Sequence, residues 1–195
     1  MFKKILLTSV LTSSILLAES GVGLNINEQD LEIEGVLDSR NLAALQTSST
    51  VYQADFNFLN NNEDTKLIGA GVGATNKLEG IEGVEVTLGA KFIWAEVGNN
   101  DNFTSLPLMA KVRYSLPPLM FNIPPVALEG KLLYAPKALS FGDSETYSEY
   151  RVSADIELIE NVRVYVGYRN IHTKYLTVSN SLFNNSFYGG LKMSY

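Results

Sequence analysis

The chain is 195 residues long, carries a formal net charge of −6 and contains no cysteine. The missing thiols exclude disulfide frameworks, thiolate metal sites and cysteine nucleophiles, and the acidic balance makes the chain a poor partner for nucleic acid. Hydrophobic residues are 46 % of the total, yet no apolar run reaches the ~20 residues that a helical membrane span requires.

The N-terminus opens with Met1, Phe2, Lys3 and Lys4, followed by an apolar stretch from Ile5 to Leu17 broken only by Thr and Ser, and then Ala18. A basic start, a short apolar run and a small residue read as a secretory signal peptide over 1–18, cleaved after Ala18 or alternatively after Ser20. The mature chain, 19–195, then holds thirteen basic and twenty-one acidic side chains, about −8 by formal counting.

A period of two follows. Alternating segments run at Val22 to Ile26, Leu31 to Leu37, Val51 to Phe58, Ile68 to Ala74, Val84 to Trp94, Leu106 to Tyr114, Val126 to Tyr134, Tyr150 to Leu158, Val162 to Tyr168 and Phe187 to Tyr195. In the fifth, Val84, Val86, Leu88, Ala90, Phe92 and Trp94 share one face, with Glu85, Thr87, Gly89 and Lys91 on the other. That is a strand with an apolar and a polar side. The reading is all-β: a transmembrane antiparallel up-and-down barrel of about ten strands. Because the first two segments are short and Asp38 to Ser49 is poorly patterned, an eight-stranded barrel with an N-terminal extension is the alternative. A soluble β-sandwich would also alternate, but would need no aromatic residues at strand ends.

In a barrel with both termini in the periplasm, Trp94, Tyr134, Tyr150 and Phe187 fall at the outer interface and Tyr52, Tyr114 and Tyr195 at the inner, forming two girdles. Val97 to Ser105, Pro136 to Thr146 and Lys174 to Asn185 are then outer loops. A cation on the lipid face at mid-bilayer costs ~2 to 4 kcal/mol, and the apolar parity of the clearest strands carries no charge. Lys91, Lys111, Arg113, Glu129, Lys131, Glu149, Arg151, Asp155, Glu157, Arg163, Arg169 and Lys192 therefore point into the lumen, where they can pair and fill it.

The hairpin after Leu158 is expected to use a three-residue loop, Ile159, Glu160 and Asn161, with Asn161 in the left-handed region. Leu158 then opposes Val162, Glu157 opposes Arg163, Asp155 lies diagonal to Arg163, and Arg151 faces Arg169. Two opposed guanidinium groups need a carboxylate between them, and Glu129 or Glu149 is the expected bridge.

Candidate chemistry is sparse. His172, the single histidine, has lipid-facing parity and no Ser two residues along its strand, so no nucleophile pair forms. Gly69, Gly71 and Ala74 fit G-x-G-x-x-A, but no helical period follows; the glycines read as small inward positions. Glu129, Glu149, Asp155 and Glu157 have basic company that keeps them ionised, unlike a general acid. Asp143 and Glu145 lack the spacing of a calcium loop. No catalytic, cofactor-binding or metal residues are assigned, and no cofactor.

The wording of Tyr134 to Phe141 (YAPKALSF), of Tyr147 to Val152 (YSEYRV) and of Val166 to Ile171 (VGYRNI) resembles the YfaZ-type outer-membrane protein family of Gram-negative bacteria. The resemblance implies an outer-membrane barrel and supplies no catalytic residues. The expected role is structural, anchoring or narrow-channel; an enzyme acting on lipid or peptide at the outer rim, and a surface binding module using the outer loops, are the alternatives. The expected partners are the bilayer, outer-membrane lipids and, through the C-terminal strand ending in Tyr195, the barrel-assembly machinery.

Overall fold

Alternation along the sequence becomes a closed wall. The computed structural model describes residues 20–39, 50–62, 65–97, 101–117, 124–142, 144–175 and 181–194; the signal-peptide assignment over 1–18, Asp143 and Tyr195 lie outside them. The strands are β1 (Gly21–Ile26), β2 (Asp30–Asp38), β3 (Val51–Asn61), β4 (Lys66–Lys77), β5 (Val84–Val97), β6 (Asp101–Ser105), β7 (Leu108–Ser115), β8 (Val126–Ala135), β9 (Ser140–Phe141), β10 (Ser144–Ile159), β11 (Val162–Tyr175) and β12 (Ser181–Ser194).

Ten of these pair antiparallel around a ring, β1–β2–β3–β4–β5–β7–β8–β10–β11–β12, and the ring closes where β12 meets β1. The eight-stranded alternative is therefore excluded, because the short β1 and β2 are full members of the wall. The remaining two strands were not foreseen. β6 lies against the end of β5, from Ile93 to Val97, and pairs with β9. Together they continue the wall where β7 stops at Leu108. Part of the expected outer loops is thus strand: β11 runs on to Tyr175, and β12 begins at Ser181.

Gly21 and Ser194 are register partners, so both ends of the described barrel meet at one rim, here the termini end. The Glu160–Asn161 turn and the 78–83 connection lie there too; the opposite rim is the loop end. At the Glu160–Asn161 turn the expected three-residue loop is corrected. Ile159 pairs with Val162, and a bulge between Glu157 and Ile159 absorbs Leu158. One extra residue on β10 restores the parity that a plain two-residue turn would break. Glu157 still opposes Arg163, and Asn161 has φ 67°.

Val72, Val152, Val166 and Leu191 are among the exposed large apolar residues on the outer surface. Phe92, Tyr134 and Tyr150 are exposed there as well, while Trp94 and Ile156 share the face but are half-buried. Towards the loop end, Tyr168 lies 5.8 Å from Tyr150 and 5.2 Å from Phe187, ring centre to ring centre, making an aromatic row across three strands. Beyond it the outward positions turn polar, at Ser148, Asn170, His172 and Asn185. Tyr52 and Tyr114 are exposed nearer the termini end.

Candidate functional site: a lumen in three layers

The interior is where the chemistry-bearing side chains converge, and it changes character along the barrel. At the loop end the inward positions are apolar. Leu59, Leu67, Ile93, Ala95, Leu133, Ala135 and Ile171 are fully buried there, and Phe103 of β6 folds over them, 5.8 Å from Tyr147 and 5.6 Å from Tyr175 by ring centres. This plug is an apolar layer that the expected charged, filled lumen did not include. The strand tops carry apolar residues on both parities, as in Phe92, Ile93, Trp94 and Ala95, which is the pattern of a segment dry on both sides.

Below the plug lies a layer of ion pairs. Cross-strand register sets Lys111 beside Lys131, Lys131 beside Arg151, and Arg151 beside Arg169, four cations in one row over β7, β8, β10 and β11. Directly opposed like charges destabilise a sheet. The compensation comes from the facing wall. Glu32 of β2, wholly buried, accepts from Arg151 Nη1 at 2.9 Å and Nη2 at 2.8 Å, and also from Arg169 Nη1. Asn25 and Asn57 donate to the same carboxylate at 2.9 Å and 2.7 Å. Arg169 reaches Asp30 Oδ1 at 2.5 Å, Arg151 reaches Glu34 Oε1 at 2.6 Å, and Asp55 of β3 pairs with Lys91 and stands 4.0 Å from Lys131.

The expected bridge is corrected accordingly. Glu149 binds Arg151 alone, and takes a 2.5 Å bond from Tyr147 at the boundary with the plug. Glu129 lies 3.4 Å from Arg113. The residue that joins Arg151 to Arg169 is Glu32, 119 and 137 residues away along the chain. Asp155 binds Arg113 at 2.7 Å and Arg163 at only 3.9 Å, while Glu157 takes Arg163 at 3.0 Å.

Glycine makes room for these long side chains. A Cβ on Gly69 would fall 2.5 Å from Lys91 Cε and one on Gly71 2.5 Å from Asp55 Oδ2. These inward glycines of β4 are the ones whose spacing imitates a nucleotide-binding turn.

Nearest the termini end the lumen opens into a polar vestibule whose wall includes Glu85, Lys111, Arg113, Glu129, Arg163 and Lys192. His172 lies elsewhere, on the outer surface. Register sets it opposite Ser148 of β10, a neighbour that sequence spacing could not reveal, and no hydrogen bond joins them among the described residues. No group of His, Asp and Glu among the described residues has the arrangement of a metal site.

The model of the family described as YfaZ precursor matches residues 2–195. The chain belongs to the YfaZ precursor family. No curated protein matches this family member. Among solved structures it is similar to a bacterial polysaccharide outer membrane secretin, at 7 % identity and TM-score 0.44, covering 90 % of this chain and 69 % of that one. A membrane protein from work on in-meso crystallization matches at 10 % identity and TM-score 0.44, covering 91 % and 83 %. A mutant of the Rh. blastica porin matches at 11 % identity and TM-score 0.20, covering 91 % and 98 %. At such values the architecture of this YfaZ barrel rests on its own register: an even-stranded, outer-membrane-type β-barrel with an apolar outside and a charged inside.

Proposed function

We propose that the protein is an integral outer-membrane barrel with a structural, anchoring role: it holds a closed head above the outer leaflet and does not conduct. The observation that carries this reading is the double obstruction of the lumen. A small barrel has little interior to spare, and here the plug around Phe103 fills one part while the Glu32–Arg151–Arg169 layer spans the next.

The outward face supports a bilayer setting. The aromatic row Tyr150–Tyr168–Phe187, with Trp94 and Tyr134, marks an outer interface, and Tyr52 and Tyr114 an inner one. The polar outward positions beyond that row, Ser148, Asn170, His172 and Asn185, then stand above the hydrocarbon, level with the plug. In this setting lipid is the partner of the wall, the barrel-assembly machinery inserts the chain through its C-terminal strand, and no step of covalent chemistry is assigned.

Planar-bilayer recording of refolded protein tests the reading. The expected result is a baseline without unitary steps. Reproducible openings that scale with salt would make the protein a narrow channel instead.

A further inference from the structure

The vestibule holds about 340 Å³ and continues inward as a smaller pocket of about 100 Å³. Asp38, Ser115, Asn161 and Ser194 ring its mouth at the termini end, and the ion-pair layer and apolar plug close the other side. Two of the four cations that line it are matched. Arg113 binds Asp155 and Glu129, and Arg163 binds Glu157.

Two cations are left over. Among the described residues Lys192 has no carboxylate within 4 Å, and Lys111 reaches only Gln53 Oε1, at 3.4 Å. Register makes the imbalance sharper, because the direct cross-strand neighbour of Lys111 is Lys131 and that of Lys192 is Arg163. Higher in the barrel the same clash, Arg151 against Arg169, is resolved by Glu32 reaching across from β2. In the vestibule Glu129 is the carboxylate nearest to that part, facing both Lys111 and Lys192, but among the described residues its one ion pair is with Arg113, at 3.4 Å, and it makes no direct contact with either lysine; both lysines line the vestibule and the inner pocket.

We infer that the vestibule binds a small polyanion, a molecule with two or more phosphate or carboxylate groups, entering from the termini end and held by Lys111 and Lys192. A charge-assisted contact to each ammonium would give Lys111 and Lys192 the direct anionic partner that Lys131 has in Asp55 and Arg163 has in Glu157. Ser115 and the Thr75–Thr87 pair, whose hydroxyls bond each other at 2.7 Å and so leave one O–H between them, add neutral polar groups on the same wall. Glu85 also faces this space and has no cation within 4 Å among the described residues; it opposes the ligand and so limits its affinity.

Isothermal titration calorimetry on the refolded full-length barrel in micelles tests this, with tripolyphosphate and citrate as probes. The expected result is saturable binding that is at least about tenfold weaker in the Lys111→Gln/Lys192→Gln double variant. Glu85→Gln should bind more tightly, and Lys137→Gln, at an exposed position on the loop end, should bind as wild type. Binding of both probes assigns the site to either acid group, and binding of tripolyphosphate alone assigns it to phosphate. No saturable binding of either probe, or unchanged affinity in the double variant, overturns the inference. Should the double variant not fold, Glu85→Gln decides: an affinity equal to wild type overturns it. Conductance plays no part in this readout, so the outcome is separate from that of the closed-barrel reading.

Discussion

Arg151 and Arg169 face each other across β10 and β11, and the carboxylate of Glu32 lies between them, bound to both. The three residues come from β2, β10 and β11, so this contact exists only once β12 has met β1 and the ring is closed. Sheet pairing alone would set the two guanidinium groups against each other. The interior of the barrel therefore stabilises its closure, by placing the compensating charge on the wall that arrives from the other end of the chain.

Glu32→Gln should be strongly destabilising. It leaves two buried guanidinium groups opposed, and breaking a buried ion pair on one side costs ~3 to 5 kcal/mol. Glu34→Gln, on a side chain that keeps a 32 % exposure, should cost well below that, about 1 kcal/mol or less. Urea titration of the refolded barrel, followed by Trp94 fluorescence, measures both. Equal midpoints for the two variants would remove Glu32 from its central position.

The same layer shows what a linear reading could and could not supply. Along β2, Asp30, Glu32 and Glu34 alternate with Leu31 and Ile33, so their inward parity was legible. Their partners were not, since Arg151 and Arg169 lie more than a hundred residues on and only ring closure brings them near. The row Lys111, Lys131, Arg151 was hidden for a related reason: it depends on the registers of β7, β8 and β10, and alternation fixes a face without fixing a register. The plug was written more openly. Leu132, Leu133, Tyr134 and Ala135 are apolar on both parities, which two-faced burial requires. β6 and β9 are too short to carry any period.

Phe103→Ala should open the plug. The ring is fully buried between Tyr147 and Tyr175, and removing it costs ~3 to 5 kcal/mol when the surroundings cannot collapse. The stability loss is read by urea titration, and the ion-pair layer beneath should keep the bilayer current at baseline. A folded variant that conducts would show that the plug alone seals the lumen.

Gly190→Ala and Gly189→Ala should differ sharply, although the residues are adjacent. A Cβ at Gly190 would sit 2.4 Å from the ring of Tyr165 and 2.6 Å from Asn25 Oδ1, while Gly189 has nothing within 4 Å. Tyr165 cannot swing away freely, because its hydroxyl donates to Asn25, which in turn holds Glu32. Overpacking of this kind costs ~1 to 3 kcal/mol, and the exposed outward position should lie within about 0.5 kcal/mol of wild type. Matching midpoints in the two variants would mean that Tyr165 does not lie over Gly190.

Depth separates a membrane wall from a merely apolar surface. Val166 on β11 and Ile159 at the hairpin have almost the same exposure, 65 % and 67 %, and both point away from the lumen. Val166 lies mid-wall, opposite Ala154 of β10 and Gly189 of β12; Ile159 lies at the termini end beside the Glu160–Asn161 turn. In water two equally exposed positions should accept an arginine about equally, each within ~0.5 kcal/mol of wild type. In a bilayer they should not. A guanidinium at the midplane of the lipid face costs ~2 to 4 kcal/mol, and near the interface ~0 to 1 kcal/mol. Val166→Arg should therefore lose that larger amount when folding is measured into phospholipid vesicles, and Ile159→Arg should lose little. Val72→Arg on β4, also 65 % exposed, repeats the mid-wall test on the opposite side of the ring and should follow Val166. Equal effects at all three positions would remove the lipid from around this barrel and, with it, the two aromatic interfaces.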